Sequence, residues 1–155
     1  MFKWISDFLR SIFGSNKELD GSWKDIDDDG MTSRYGALFR DADECVMTKK
    51  GDRYTKIKIT GQWKCKYTGK QLRYDDIDVD HIVPKNYAKE HRNGHWTEAS
   101  FTQFANDMDN LICVENSVNR SKGAKSIAEW KPKKNQRWYA EKWKEICEKW
   151  DIEHP

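Results

Sequence analysis

A mixed α+β fold is predicted by three features of this chain. Lys56-Ile57-Lys58-Ile59 alternates polar and apolar residues, and Trp63 and Cys65 continue the alternation beyond Gly61, as on a half-buried strand. Ile77, Val79 and Ile82 mark a second extended stretch, which Pro84 should stop because proline cannot donate to a ladder. Tyr139, Trp143, Ile146 and Trp150 recur at spacings of four, three and four, the period of a helix with one buried side. A small antiparallel sheet with flanking helices is the expected architecture.

The remaining elements follow in chain order. Phe2, Ile5, Phe8, Leu9, Ile12 and Phe13 fall on one broad side of a helix, with Lys3, Asp7, Arg10 and Ser11 opposite. Residues 14–21 then read as a linker, so residues 1–20 form an amphipathic helix with its linker and residues 21–155 one domain. The apolar side of residues 2–13 would pack on that domain, on a protein partner or on a second copy. A helix is predicted over residues 33–45, with Leu38, Phe39 and Ala42 inward. Thr68-Gly69-Lys70 is a turn that sends residues 71–74 back along the first strand. Residues 97–106 and 135–150 read as helices, residues 111–114 as a short apolar strand, and a helix carrying Asn119 follows it. At 155 residues with eight tryptophans, the chain has the apolar bulk for one core.

Several classes of protein are disfavoured. No apolar run reaches membrane-spanning length, and Asp7 and Arg10 interrupt the first thirteen residues, so they do not read as a secretory signal. A cytoplasmic protein is expected. Cys45, Cys65, Cys113 and Cys147 are widely spaced, without a paired zinc-ligand motif, and read as buried free thiols. The formal net charge of +2 conceals an asymmetry. Residues 1–45 carry six basic against ten acidic residues, whereas residues 46–74 carry nine basic against one acidic. Tyr54, Trp63, Tyr67 and Tyr74 are interleaved with that basic block, which supplies cations for phosphates and rings for bases. Lys56, Lys58, Lys64 and Lys66 are its candidate nucleic-acid contacts; a solvated strand face is the bland alternative.

The chemistry is concentrated in Asp80-His81-Ile82-Val83-Pro84, followed by Asn110-Leu111 and then Asn119-Arg120-Ser121-Lys122. A carboxylate beside an imidazole, with two amides returning later, supplies one hard metal ligand, one proton acceptor and two side chains able to orient or complete a site. Metal-assisted phosphodiester hydrolysis needs that equipment. An isolated Asp-His pair would be weak evidence, since a histidine at a strand end can be a satisfied structural residue, and asparagine is common in turns for local reasons.

In residues and order this set resembles the HNH endonucleases, most closely the nuclease domain of GmrSD-type modification-dependent restriction systems and related stand-alone bacterial HNH proteins. The likeness includes Trp23, Asp25, Asp27, Asp29-Gly30, Arg34, Leu38, Arg40-Asp41 and Tyr67-Thr68-Gly69 before the Asp80 motif. It continues through Trp96, residues 104–107, Asn110-Leu111, residues 119–123, Trp130 and Pro132. Met31-Thr32-Ser33 and the lysines 131 and 133 depart from the pattern of those relatives. The resemblance implies a ββα-metal core in which Asp80 is a metal ligand, His81 the general base and Asn119 the second protein ligand. Asn110 would hold the base-bearing loop through hydrogen bonds. Two oxygen ligands suit Mg2+, with Mn2+ the alternative, better than zinc, and the products implied are a 3′-hydroxyl and a 5′-phosphate. DNA, double-stranded in preference, is the expected substrate. Arg120 and Lys122 stand where cations could neutralise a phosphate, or are simply exposed helix residues.

Asp25, Asp27 and Asp29, with Gly30, match the start of an EF-hand loop, but its twelfth position is Gly36 and not the bidentate glutamate. They are candidate Ca2+ ligands at a second site, or an acidic turn capping its own backbone. Two non-enzymatic readings therefore stand beside the nuclease: a catalytically idle HNH-fold module that binds DNA, and a calcium-dependent interaction domain.

Overall fold

The chain is seen here as a computed structural model that describes residues 19–155, so the amphipathic stretch of residues 2–13 lies outside the described residues. Helix α1 (Ser33–Asp41) leads directly into β1 (Ala42–Lys50). β1 pairs antiparallel with β2 (Arg53–Lys64), and β2 with β3 (Gln71–Arg73), giving a sheet of order β1-β2-β3. β4 (Ile77–His81) and β5 (Leu111–Glu115) form a second antiparallel pair. Helices α2 (Lys85–His91) and α3 (Glu98–Ala105) lie between those two strands in sequence. Helix α4 (Asn116–Lys122) follows β5 at once, and α5 (Gln136–Trp150) closes the chain. The fold is α+β.

Local chemistry accounts for most boundaries. Pro84, with φ of −61°, caps α2, where its missing N–H costs nothing. Thr97 and Ser100 form a capping box at the start of α3, each side chain accepting from the other's backbone N–H. The predicted helix over residues 33–45 is corrected at its C-terminal end. α1 stops at Asp41, and residues 42–50 form a strand whose pairing slips between Ala42 and Glu44 and again between Val46 and Thr48. Those irregularities break the two-residue period, so the sequence shows no strand pattern there. Phe39, expected inside, is 54% exposed and lies along a cavity of about 640 Å³ with Ile26, Met108 and Trp150. Ala37 and Leu38 are the buried apolar residues of that helix, with Ser33 buried at its start. Helix α2 has no signature in the sequence, because only Tyr87 and Ala88 are buried in its seven residues, too few to set up a period.

Trp63, Tyr67, Tyr139, Trp143, Phe101 and Phe104 are fully buried and form the aromatic centre of the core. Trp63 on β2 donates from Nε1 to the Leu38 carbonyl at 2.7 Å, which ties the first sheet to α1 without leaving a buried donor unpaired. Tyr67 meets Tyr139 edge to face at 5.5 Å and thereby joins the turn after β2 to α5. Gly61 makes this packing feasible: a Cβ there would strike the Glu44 carbonyl and lie 2.6 Å from the Trp63 ring. Gly61→Ala should therefore cost about 1–3 kcal/mol through overpacking. A urea midpoint unchanged from wild type would show that β1 yields freely.

Candidate active site at the end of β4

Alternation along β4 sends Asp78 and Asp80 to one side of the strand and His81 to the other. The Asp80 carboxylate faces α4 and the core. Its Oδ1 is 3.1 Å from the Lys122 ammonium, and its Oδ2 accepts from the Tyr67 hydroxyl at 2.8 Å. Lys122 has no exposed surface, and it also donates to the His81 carbonyl at 2.8 Å. Lys122 thus bridges both residues of the motif. This corrects the expectation that it reaches a nucleic-acid phosphate at the surface: its charge is consumed internally, because a carboxylate taken out of water needs a partner.

His81 is buried beneath a strap formed by residues 19–24. The Trp23 ring stacks on the imidazole with centroids 5.2 Å apart and planes 12° from parallel. Asn106 anchors the strap: its Oδ1 accepts from the Lys24 N–H at 2.7 Å and from the Ser33 hydroxyl, while its Nδ2 donates to the carbonyls of Ser22 and Thr102. Lys85 adds a bond to the Gly21 carbonyl at 2.9 Å. On its other edge, His81 places Nε2 2.8 Å from the Ala105 carbonyl. A carbonyl only accepts, so Nε2 carries the proton and the neutral ring keeps its lone pair on Nδ1. That is the form a general base requires.

Asn110 clamps the loop after His81. Its Oδ1 accepts from the Val83 N–H at 2.8 Å, its Nδ2 donates to the Val83 carbonyl at 3.1 Å, and its own carbonyl accepts from Ile82 N–H. Asn119 sits on the α4 side nearest β4 and donates from Nδ2 to Asp78 Oδ2 at 3.0 Å. One helical turn later Lys122 meets Asp80, so the two side-chain pairs run in parallel along β4 and α4. Sequence reasoning misses the places of Asp78, Tyr67 and Trp23 in the site. Asp78 is legible in principle, standing two residues before Asp80 and hence on the same strand face; Tyr67 and Trp23 arrive from distant segments.

Other sequence candidates lie elsewhere on the molecule. Lys64 is exposed on β2, and Lys66 is exposed with its ammonium 4.5 Å above the Trp138 ring. Lys56 and Lys58 belong to residues 55–58, whose side chains lie outside the described residues. Arg120 is exposed and bonds Asn116 at 3.3 Å. The ligand oxygens of Asp25, Asp27 and Asp29 lie within 4.8 Å of one another. Asp25 already accepts from the backbone N–H groups of Asp29 and Gly30, which is the self-capping turn geometry. Among the four cysteines, Cys65, Cys113 and Cys147 are buried and all are free thiols.

The electrostatics of the site are dominated by burial. Burial pushes the Asp80 carboxyl up and the Lys122 ammonium down, and their mutual contact opposes both shifts. Burial lowers His81 to about 4, with the positive charges of Lys85 and Lys122 acting in the same direction and the bond to Ala105 opposing them. Between that value and the ordinary one near 6.5, the unfolded chain binds the proton and the folded chain does not. Stability therefore rises with pH across this window and is lost as pH falls through it, by on the order of 3 kcal/mol from this group alone. Urea titrations in EDTA from about pH 7 to about pH 4 should show the loss, and His81→Gln should flatten that limb. An identical acid limb in the variant would assign the sensitivity to another group.

Residues 22–154 match the family described as GmrSD restriction endonucleases, C-terminal domain. The strand pair β4–β5, the helix α4 that follows it and the Asp80-His81 corner lie within that span. The chain belongs to this family, a nuclease family of restriction endonucleases. It is also 33% identical over 98 residues to an "Uncharacterized secreted protein" of Arthroderma benhamiae. The match covers 60% of this chain and 48% of that protein, so the chain spans about half the length of the relative. No solved structure matches the chain.

Proposed function

We propose that the chain hydrolyses phosphodiester bonds of DNA, double-stranded in preference, as an HNH endonuclease. The observation that carries this reading is the Nε2 contact of His81 with Ala105, which leaves Nδ1 unprotonated on the residue that follows Asp80. Asp80 and the amide oxygen of Asn119 would hold one divalent cation. The donor set fits such an ion: an ionised carboxylate has about four lone-pair directions, of which Tyr67 and Lys122 take two at Asp80, and the Nδ2 contact with Asp78 leaves oxygen as Asn119's available donor atom. Oxygen donors favour Mg2+, then Mn2+. When bound, that ion supplies charge neutralisation at the phosphate.

In this reading the protein's own residues divide the work. His81 Nδ1 accepts a proton from water, the water oxygen bonds to phosphorus, and the bond from phosphorus to the 3′-oxygen breaks. The 3′-oxygen leaves as a hydroxyl after taking a proton from solvent, and the phosphate stays on the 5′ end. Asn110 keeps the loop that bears the base in register. Lys122 holds Asp80 and the His81 backbone together through the cycle. Lys56, Lys58 and the exposed Lys64 on β2, with the exposed Lys66 in the turn after it, bind the DNA backbone.

Supercoiled plasmid incubated with Mg2+, Mn2+, Ca2+ or EDTA tests the reading, with cleavage expected in the first two and none in EDTA. A second reading, an idle DNA-binding module, is favoured by two contacts: Trp23 covers His81 and Lys122 occupies Asp80. It predicts binding without cleavage in every metal. Replacing Lys56, Lys58, Lys64 and Lys66 together by glutamine should weaken DNA binding and reduce the slope of log affinity against log salt by roughly 0.9 for each phosphate that is no longer neutralised. Cleavage should recover at high DNA concentration. An unaltered salt slope would show that this face is only solvated.

No helix among the described residues is long and apolar enough to cross a membrane. The cytoplasm is the compartment we propose, a reading with which four free thiols accord.

A further inference from the structure

We infer that Asp78 is a positioning residue that sets the orientation of the Asn119 amide, and so decides which atom of Asn119 a cation meets; this inference rests on the metal-binding role proposed for Asn119. The two ends of an asparagine amide are nearly the same shape and opposite in polarity. One accepts from a donor or ligates a cation, while the other donates and repels one. Without a fixed partner the group can turn over, and the turned form presents NH2 to the ion. Asp78 removes that ambiguity. Its carboxylate oxygen lies 3.0 Å from the Asn119 side chain, and a carboxylate only accepts, so the atom facing it has to be Nδ2. The amide oxygen is thereby turned to the other side.

The placement follows from the fold. Asp78 and Asp80 share a face of β4 because side chains alternate along a strand, and α4 lies over that face. Asn119 and Lys122, three residues apart on α4, come to the same helix side and meet Asp78 and Asp80 respectively. Asp78 is intermediate in burial while Asp80 is 6% exposed, so the Asn119 end is the more open end of the paired array. Two roles for Asp78 make different demands. As a positioning group it needs only an acceptor oxygen, which asparagine also has; as a direct cation ligand it needs its negative charge.

Calorimetric titration of Mn2+ into the full chain, with a cleavage assay alongside, separates these cases. Asp78→Leu should weaken Mn2+ binding by about 10- to 100-fold, the usual effect of removing a group that orients a ligand, and Asn119→Ala should do so to a similar degree. Asp78→Asn should stay within about threefold of wild type, because the substituted side chain keeps an amide oxygen that can still accept from Asn119 Nδ2. In the Asn119→Ala background, Asp78→Leu should add no further loss. Circular dichroism and urea midpoints establish that each variant is folded, and the asparagine variant carries the test if the leucine variant is not. Wild-type affinity in Asp78→Leu would overturn the proposal, as would a loss in Asp78→Asn equal to that in Asp78→Leu, which would make the charge itself the ligand. A wild-type protein that neither binds Mn2+ nor cleaves DNA would instead remove the metal reading on which the proposal stands.

Discussion

His81→Ala should lower the rate of plasmid cleavage by about 10²- to 10⁴-fold, the usual worth of a positioned general base, while Mn2+ affinity and DNA affinity stay near wild type. The imidazole contributes no assigned metal contact, and its partners are the Ala105 carbonyl and the Trp23 ring. Removing it should leave Asp80, Asn119 and the basic strand in place. It also opens a void under Trp23, so His81→Asn serves as a second variant that keeps a donor near Ala105 with no basic nitrogen. Both should be equally slow. Near-normal cleavage by either folded variant would exclude His81 as the base and transfer attention to another proton acceptor.

The second large effect is on stability. Lys122→Met should destabilise the fold by about 3–5 kcal/mol, because it leaves a buried carboxylate without its counter-charge. Lys122 is wholly enclosed, its ammonium shared between Asp80 and the His81 carbonyl. The cost therefore falls on the two motif residues at once. Adding Asp80→Asn to Lys122→Met should restore much of the stability, since the neutral amide no longer needs an opposing charge, and a double-mutant cycle in urea isolates that coupling. A decrease under about 1 kcal/mol in the single variant would mean that water reaches Asp80 when Lys122 is gone. The prediction also separates Lys122 from a phosphate-binding role, which would weaken DNA binding and leave stability unchanged.

Sequence periodicity located the parts with a strong repeat. Tyr139, Trp143 and Ile146 line the buried side of α5 as their spacing requires, and the alternation at Trp63 and Cys65 marks the inner face of β2 and its extension. β1 escapes because its pairing slips twice, and Phe39 is misplaced because an apolar residue in a short helix can lie off the buried face. The motif residues Asp80, His81, Asn110 and Asn119 stand out because their types and order carry chemistry. Their partners do not.

Those partners show where one-dimensional reasoning stops. The sequence alone determined the α+β class, the strand that ends in an acid and a base, and the family, because period, composition and motif are properties of neighbouring residues. Only the tertiary structure decided that Lys122 turns inward to Asp80, that Asp78 holds Asn119, that Tyr67 closes the other carboxylate oxygen and that Trp23 covers His81. Each of these contacts joins residues far apart in the chain. Whether a lysine is a surface cation or a buried counter-ion depends on which low-dielectric cavity the packing leaves beside it, and that follows from the way α4 and the strap settle against β4.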